Sequence, residues 1–269
     1  MQGSYLEWGV LAWAPGAEWV VVDRGVITGD TAGDEVWVAL DEVTRRHYPH
    51  ADGGVLPIAA FGVDTGYRSN RVYQFVQGRP NCFAMDGRPG WKAPIIGKPS
   101  PVKVVRNGRV VGRIKLWPTA TWPLKSALAW SLKISIEAGY AVRQQGRGHW
   151  TRAEDEAWCQ QITAEALHEE KNKKTGEMDR MWRKISGRQN EWVDIWVGAR
   201  ALAWQLGVGA PKRGASTGEG FDWAAAAAAR GPAEESQSDL FAATATPGLA
   251  GPSETATEPR PERQWFKRS

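Results

Sequence analysis

Two aspartates stand at positions where a folded chain could use them for chemistry. Asp64 follows the apolar run 55–63 and precedes Thr65-Gly66, where the chain must turn sharply. A carboxylate at the end of a buried strand points into the crevice where open α/β sheets hold their ligands. Asp194 lies inside a predicted helix, off its apolar stripe. The two residues are therefore candidates for one shared site.

Carboxylates from distant parts of a chain are typical of metal sites that act on phosphodiesters. Mg²⁺ and Mn²⁺ prefer carboxylate oxygens, and a pair of such ions clamps the attacking and leaving oxygens of the reaction. Such a site usually requires further carboxylates, and spacing alone names no third member. Structural alternatives remain for both residues: Asp64 could cap the following helix, and Asp194 could belong to a solvated helix face shared with Glu191.

A long basic stretch without acids is the second feature that could do chemistry. Residues 87–136 contain no Asp or Glu. Such a stretch attracts a polyanion because each phosphate contact releases counterions, although a solvated basic surface is the alternative. The first seven of its cations are the predicted DNA contacts, and the full set is Arg88, Lys92, Lys98, Lys103, Arg106, Arg109, Arg113, Lys115, Lys125 and Lys133.

The bulk composition excludes several classes of protein. The chain has 269 residues with 42% hydrophobic content, which suits a globular protein, and a net charge of +4. Cys82 and Cys159 lie far apart, so we predict neither a disulfide framework nor a zinc site, and a cytoplasmic setting fits best. No secretion signal, membrane-spanning apolar run or GxxxxGK(S/T) phosphate loop is present. We therefore expect no membrane association and no ATP site.

The elements that must position these residues alternate between strands and helices. Strands are predicted at 5–14, 18–28, 55–63, 82–85, 102–105, 110–117 and 180–185. Helices are predicted at 36–46, 69–77, 124–134, 154–167 and 190–206. Asn107-Gly108, between two apolar runs, predicts a tight β-hairpin. The pattern as a whole predicts an α/β fold.

The composition changes near Gly207. The segment from there to the C-terminus is rich in Pro, Ser, Thr, Glu and Ala, and it cannot bury enough apolar surface to offset chain entropy. We predict a folded domain over residues 1–207 and a disordered low-complexity tail over residues 208–269.

Several short strings occur in a fixed order along residues 1–206. They are LEW at 6–8, VDRGVI at 22–27, IAA at 58–60, VDTG at 63–66, GRPG at 87–90, PIIGKPS at 94–100, QITAE at 161–165 and KISGRQNEWVD at 184–194. Together they resemble the nuclease domain of lambda-like (GpA-type) tailed-phage terminase large subunits. The last string is the most specific, because it matches the family pattern Arg-x-Asn-Glu followed by an Asp three residues later.

The resemblance implies an RNase H-like fold, with a mixed central sheet flanked by helices, and a metal-dependent endonuclease that cuts concatemeric viral double-stranded DNA during packaging. It makes Asp64 and Asp194 catalytic residues and ligands of Mg²⁺ or Mn²⁺, bound as two ions. Supporting roles fall to Asn190, Glu191 and Lys125. The implied partners are DNA, the terminase small subunit, the ATPase portion of the large subunit and the portal protein, in the cytoplasm of a bacterial host.

The sequence departs from the family pattern at three places. The first catalytic Asp of the family, in a Gly-x-Asp-x-Gln string, would fall immediately before Met1, and we expect it to be lacking together with the ATPase portion. Asp86 stands where the family has a Lys. The string 122–125 keeps only Lys125 of an Asp-Thr-Ala-Lys motif. These departures leave open a catalytically impaired fragment, or a module that binds DNA or a motor partner without cutting.

Overall fold

The computed structural model describes residues 3–137, 145–150, 156–173 and 175–209. The strands are β1 (Tyr5–Trp13), β2 (Trp19–Thr28), β3 (His47–Pro49), β4 (Val55–Pro57), β5 (Phe61–Asp64), β6 (Cys82–Arg88), β7 (Ser100–Arg106), β8 (Arg109–Ala120), β9 (Gly148–His149), β10 (Glu165–Lys171) and β11 (Met178–Lys184). The helices are α1 (Glu35–Thr44), α2 (Ser69–Val76), α3 (Thr121–Glu137), α4 (Glu156–Ile162) and α5 (Glu191–Gln205). The predicted mixed α/β class is confirmed. The predicted tail lies outside the described residues from residue 210 onward.

A four-stranded mixed sheet forms the frame for the site. Its strand order is β5-β6-β8-β7, with β5, β6 and β8 parallel and β7 antiparallel to β8. Parallel neighbours need a crossover connection, and α2 supplies the one between β5 and β6. Because parallel strands end at the same edge, Asp64, Arg88 and Ala120 come to one edge of the sheet. The segments that follow these three residues meet there.

A second sheet contains β1, β2 and β9 in that order. β1 and β2 are antiparallel, and the turn between them uses Pro15 and a Gly16 with φ of 83°, which the sequence pattern predicts. Within the described residues, β1 is an edge strand of this sheet and β5 is an edge strand of the four-stranded sheet. Among the described residues, each of these two strands therefore has one side with no further strand paired to it.

Helix α5 packs across both edge strands. A Cβ at Gly9 of β1 would lie 2.5 Å from the Trp192 ring, and a Cβ at Gly62 of β5 would lie 3.1 Å from Leu202. Glycine at both positions lets the helix approach the strands closely. The other face of β1 and β5 belongs to one hydrophobic core that also includes α1 and α2. β1 and β5 therefore share a helix on one side and a core on the other.

Tryptophans dominate the core beneath α5. Trp19, Trp158, Trp192 and Trp196 are almost completely buried, and the Trp158–Trp192 and Trp19–Trp196 ring centroids are 5.7 and 5.9 Å apart. Aromatic pairs in this range add about 0.5–1.5 kcal/mol each beyond area burial. This packing fixes α4 and α5 against the β1-β2-β9 sheet. No helix in the described ranges combines the length and the apolar character needed to cross a membrane.

Two sequence predictions were wrong in detail. The run 55–63 forms β4 and β5 rather than one strand, because Pro57 has no N–H to donate and β4 pairs instead with β3. The predicted helix 154–167 ends at Ile162, and Glu165 begins β10. Pairing of β10 with β11 outweighs the local helical pattern there. This second difference matters for the site.

Candidate active site

Asp64 is held at the carboxyl end of β5, on the face turned toward α5. Gly62, two residues earlier on that face, lies against Met85 and Leu202. The turn after Asp64 is fixed by Thr65, whose backbone N–H and hydroxyl both donate to the Met85 carbonyl, at 2.9 and 2.8 Å. A Cβ at Gly66 would lie only 3.0 Å from Asp64 Oδ2. The local sequence thus turns the chain away and leaves the carboxylate exposed at the sheet edge.

Asp194 reaches the same edge from the first turn of α5. A Cβ at Gly198, one turn further along the same face, would lie 4.0 Å from Met85 Sδ. Ala201, beyond Gly198 on this face, is completely buried. Small residues on this face let α5 lie close to β5 and β6. That close packing brings the first turn of α5, with Asp194, to the end of β5.

A network of charged and amide groups surrounds Asp194. Lys125 Nζ, from α3, donates to both oxygens of Glu165 at 2.6 and 2.7 Å and lies 3.8 Å from Asp194 Oδ1. Asn190 Nδ2 donates to Glu165 at 2.9 Å and to Asp194 at 3.2 Å. Asn commonly caps a helix through its side chain, but Asn190 at the start of α5 makes no such cap bond. Its amide links the two carboxylates instead.

Glu165 and Lys125 form the buried part of this network. Their side chains are only 5% and 12% exposed. A buried ion pair is strongly destabilised when one partner is removed, because the other charge is left without compensation. Glu165 is the site residue that sequence reasoning missed, since the string QITAE was interpreted as helical and only Lys125 was singled out beside it. The pairing of β10 with β11 makes Glu165 a buried strand residue, and the local sequence pattern does not show this pairing.

The surroundings of Asp194 disfavour the negative charge on its carboxylate. The pKa of Asp194 is raised to about 6, chiefly by burial; the Lys125 ammonium lowers the pKa, and the charges of Glu165 and Asp64 raise it. Asp64 is therefore close enough to repel Asp194. The Asp194 side chain keeps 49% of its surface exposed, so water or a cation can reach the carboxylate.

The oxygen-rich donor set suits a hard divalent cation. Within the described residues, however, no three His, Cys, Asp or Glu side chains converge closely enough to hold a metal ion. The Lys125 ammonium lies between Glu165 and Asp194, in contact with the first and near the second. The carboxylates thus already have a cation among them, and one ammonium balances only part of their charge.

Other acids considered in the sequence lie elsewhere. Glu191 is buried and accepts a hydrogen bond from the Tyr5 hydroxyl at 3.0 Å, so it faces β1 rather than Lys125. Asp86 forms an ion pair with Arg88. It follows Met85 on β6 and so points to the opposite sheet face from the one that carries Met85. Asp23 accepts hydrogen bonds from Arg46 and Tyr48, both at 2.8 Å.

The predicted DNA contacts are all exposed, and they fall into two groups. The first group, Arg88, Lys92 and Lys98, lies at or just after the end of β6, on the site's edge of the sheet. The second group lies on the β7–β8 hairpin and consists of Lys103, Arg106, Arg109 and Arg113. The hairpin turn at Asn107-Gly108 is at the start of β8, whereas the site's edge is at its end. β8 thus connects the two groups.

Comparison with known proteins identifies a family for the chain. The family model described as terminase large subunit gpA, endonuclease domain, matches residues 1–213. No curated protein and no solved structure gives a significant match. The family match takes in every element of the site, from β5 through α5. The chain belongs to the family of terminase large subunit gpA endonuclease domains.

Proposed function

We propose that the chain acts as a divalent-metal-dependent endonuclease that cuts concatemeric viral double-stranded DNA during genome packaging. The observation that carries the proposal is the position of Asp64 and Asp194 at one sheet edge, with Lys125 and Asn190 linking Asp194 to Glu165. By family membership, the expected partners are DNA, the terminase small subunit, the ATPase portion of the large subunit and the portal protein.

Asp64 and Asp194, joined by Glu165, would hold Mg²⁺ or Mn²⁺. Bound there, such ions supply charge stabilisation for phosphodiester cleavage and lower the pKa of bound water. Asn190 orients two carboxylates through one amide group. Lys125 fixes the direction of the Glu165 carboxylate and offsets its charge, so the acids can stay close together before any cation binds. A bound cation would also offset the repulsion that Asp194 experiences from Glu165 and Asp64.

We further propose an RNase H-like arrangement for the domain. β1 and β5 share α5 on one face and one hydrophobic core on the other, and each is an edge strand among the described residues. One additional strand between them would join both sheets and would put its side chains beside Asp64. A strand that carries a catalytic Asp, which belongs to the family pattern, would suit that position.

Plasmid cleavage in Mg²⁺ and in Mn²⁺ tests the proposed function. The chain should cut DNA, and Asp64→Asn should abolish cutting because it removes a metal ligand. Asp86→Asn is the matched control, since it changes an acid on the neighbouring strand whose side chain points to the other face. Equal activity of Asp64→Asn and the unsubstituted chain would refute the site. Loss of cutting in Asp86→Asn would place Asp86 among the ligands instead.

The second candidate function is DNA or partner binding without cleavage. It is favoured by the finding that no three metal-binding side chains converge within the described residues. A version extended upstream by the family's Asp-bearing strand separates the two functions. Cutting by the extended version alone would mean that the strand completes the site. Absence of cutting by both versions, with DNA binding intact, would establish the binding function.

A further inference from the structure

An exposed tryptophan and a half-buried one pack together next to the candidate active site. Trp91 lies in the segment after β6 and is 40% exposed, and Trp122 lies in the first turn of α3. Their ring centroids are 5.5 Å apart with an angle of 59° between the ring planes. A large apolar side chain left this exposed contributes less to folding than a buried one would. Its surface is available to a ligand.

The Trp91 ring is fixed in place. Its indole N–H donates to the Arg180 carbonyl of β11 at 2.7 Å. The Thr121 hydroxyl, beside Trp122, donates to the Arg88 carbonyl at 3.1 Å. These bonds tie the segment after β6 to both α3 and the β10–β11 hairpin. An exposed ring held by its polar end is a rigid flat surface.

The pair lies within reach of the network around Asp194. Trp122 precedes Lys125 by three residues on α3, so the two side chains lie on neighbouring positions of one helix face. Arg180 pairs opposite Glu169, four residues along β10 from Glu165, which corresponds to about 13 Å of strand. That is a separation of a few nucleotides along a DNA strand.

The charges around Trp91 suit a nucleic acid. Lys92 is the next residue and is exposed, as is Lys98, and residues 87–136 contain no acid. Proteins that bind single strands combine cations for the phosphates with aromatic rings on which bases stack. In a paired duplex the base faces are already covered by their neighbours. Only an unpaired base can stack on a protein ring.

We propose that Trp91, supported by Trp122, is a stacking platform for an unpaired base of the DNA strand next to the candidate active site. The proposal rests on the proposed function, because it assumes that DNA is the substrate. It adds that the domain recognises locally unpaired DNA in addition to the duplex.

Binding measured by fluorescence anisotropy in the presence of a chelator tests the proposal without cleavage. The two probes are a labelled duplex and the same duplex with a short unpaired bubble. Trp91→Ala should weaken binding to the bubble by about tenfold, the usual effect of losing one stacked base, and should change duplex binding less than about twofold. Trp91→Phe keeps a ring and should retain most of the affinity for the bubble. Trp130→Ala, which removes a 50% exposed Trp elsewhere on α3, is the matched control and should change neither.

Three results would overturn the proposal. Unchanged binding of Trp91→Ala to the bubble would refute stacking, and so would an equal loss on both probes with an unchanged circular dichroism spectrum. Failure of the unsubstituted chain to bind either probe would refute the proposed function itself. The first two results leave DNA binding intact, so the two failures can be told apart.

Discussion

The β7–β8 and β10–β11 hairpins are both long antiparallel pairs with many charged residues, but they arrange their charges differently. In β10–β11, Glu169 lies directly opposite Arg180 and binds it at 2.9 Å, and Glu170 binds Arg183 at 2.9 Å. In β7–β8, Lys103 lies opposite Arg113 and Arg106 lies opposite Arg109. Like charges directly opposite one another destabilise a strand pair.

The difference indicates separate uses for the two hairpins. β10–β11 balances its own charges and contributes a single buried acid, Glu165, to the network around Asp194. β7–β8 keeps a repulsion that a polyanion would relieve. The β10–β11 hairpin is therefore suited to building the site, and the β7–β8 hairpin is suited to binding DNA.

The largest effect should come from Glu165→Gln. The substitution removes the charge that binds Lys125 and a proposed metal ligand, and it should lower the cleavage rate by about a hundredfold or more. Glu169→Gln, on the same strand but exposed, should cleave at nearly the unsubstituted rate. Plasmid cleavage and melting temperatures of both variants provide the measurement. Equal rates for the two variants would remove Glu165 from the site and would make the hairpins alike in function.

A smaller effect should follow from reversing charge on the β7–β8 hairpin. Arg106→Glu with Arg109→Glu should weaken duplex binding and reduce the slope of log affinity against log salt by about two, one for each lost phosphate contact. Arg180→Glu with Arg183→Glu changes the net charge equally on the other hairpin and should reduce the slope far less. Binding titrations across a range of salt concentrations measure both slopes. Similar slopes for the two double variants would mean that net charge alone governs binding.

The smallest effect concerns pH. Because the folded pKa of Asp194 is raised to about 6, the folded state holds this proton more tightly than the unfolded state does. The contribution of Asp194 to the stability of the metal-free protein should therefore be fully present below about pH 4 and should be lost as the pH rises through about 6. Water screens this half-exposed side chain, so we expect a change in melting temperature of only about 2–4 °C from this residue.

Asp194→Asn should remove that part of the pH dependence, and Glu42→Gln, an exposed acid on α1, should leave it unchanged. Thermal melts in chelator across this pH range measure the difference between the variants. The same pH dependence in Asp194→Asn and in the unsubstituted chain would contradict the electrostatic description of the network.

Local signals predicted much of the fold. The Asn107-Gly108 turn, the β1–β2 pair and helix α5 depend on turn residues and short-range periodicity, and the structure confirms all three. The start of β10 depends on pairing with β11, whose residues are more than ten positions away, so the local pattern 154–167 misassigned Glu165 to a helix. Asp64 and Asp194 stood out because a strand end and a polar position on an apolar helix are visible in sequence. The Lys125–Glu165 contact could not be predicted from the sequence, because it depends on the packing of α3 against the β10–β11 hairpin.

Strand β8 also sets a length scale for the DNA. Its twelve residues run from the hairpin turn to the edge that holds the site, a distance of about 36 Å at the usual rise per residue. One turn of B-form DNA has nearly the same length, about 34–36 Å. A duplex lying along this strand would present the same groove to Arg109 at one end and to the segment after Ala120 at the other. The β7–β8 hairpin turn would then bind the duplex one helical repeat away from the point at which the site acts on it.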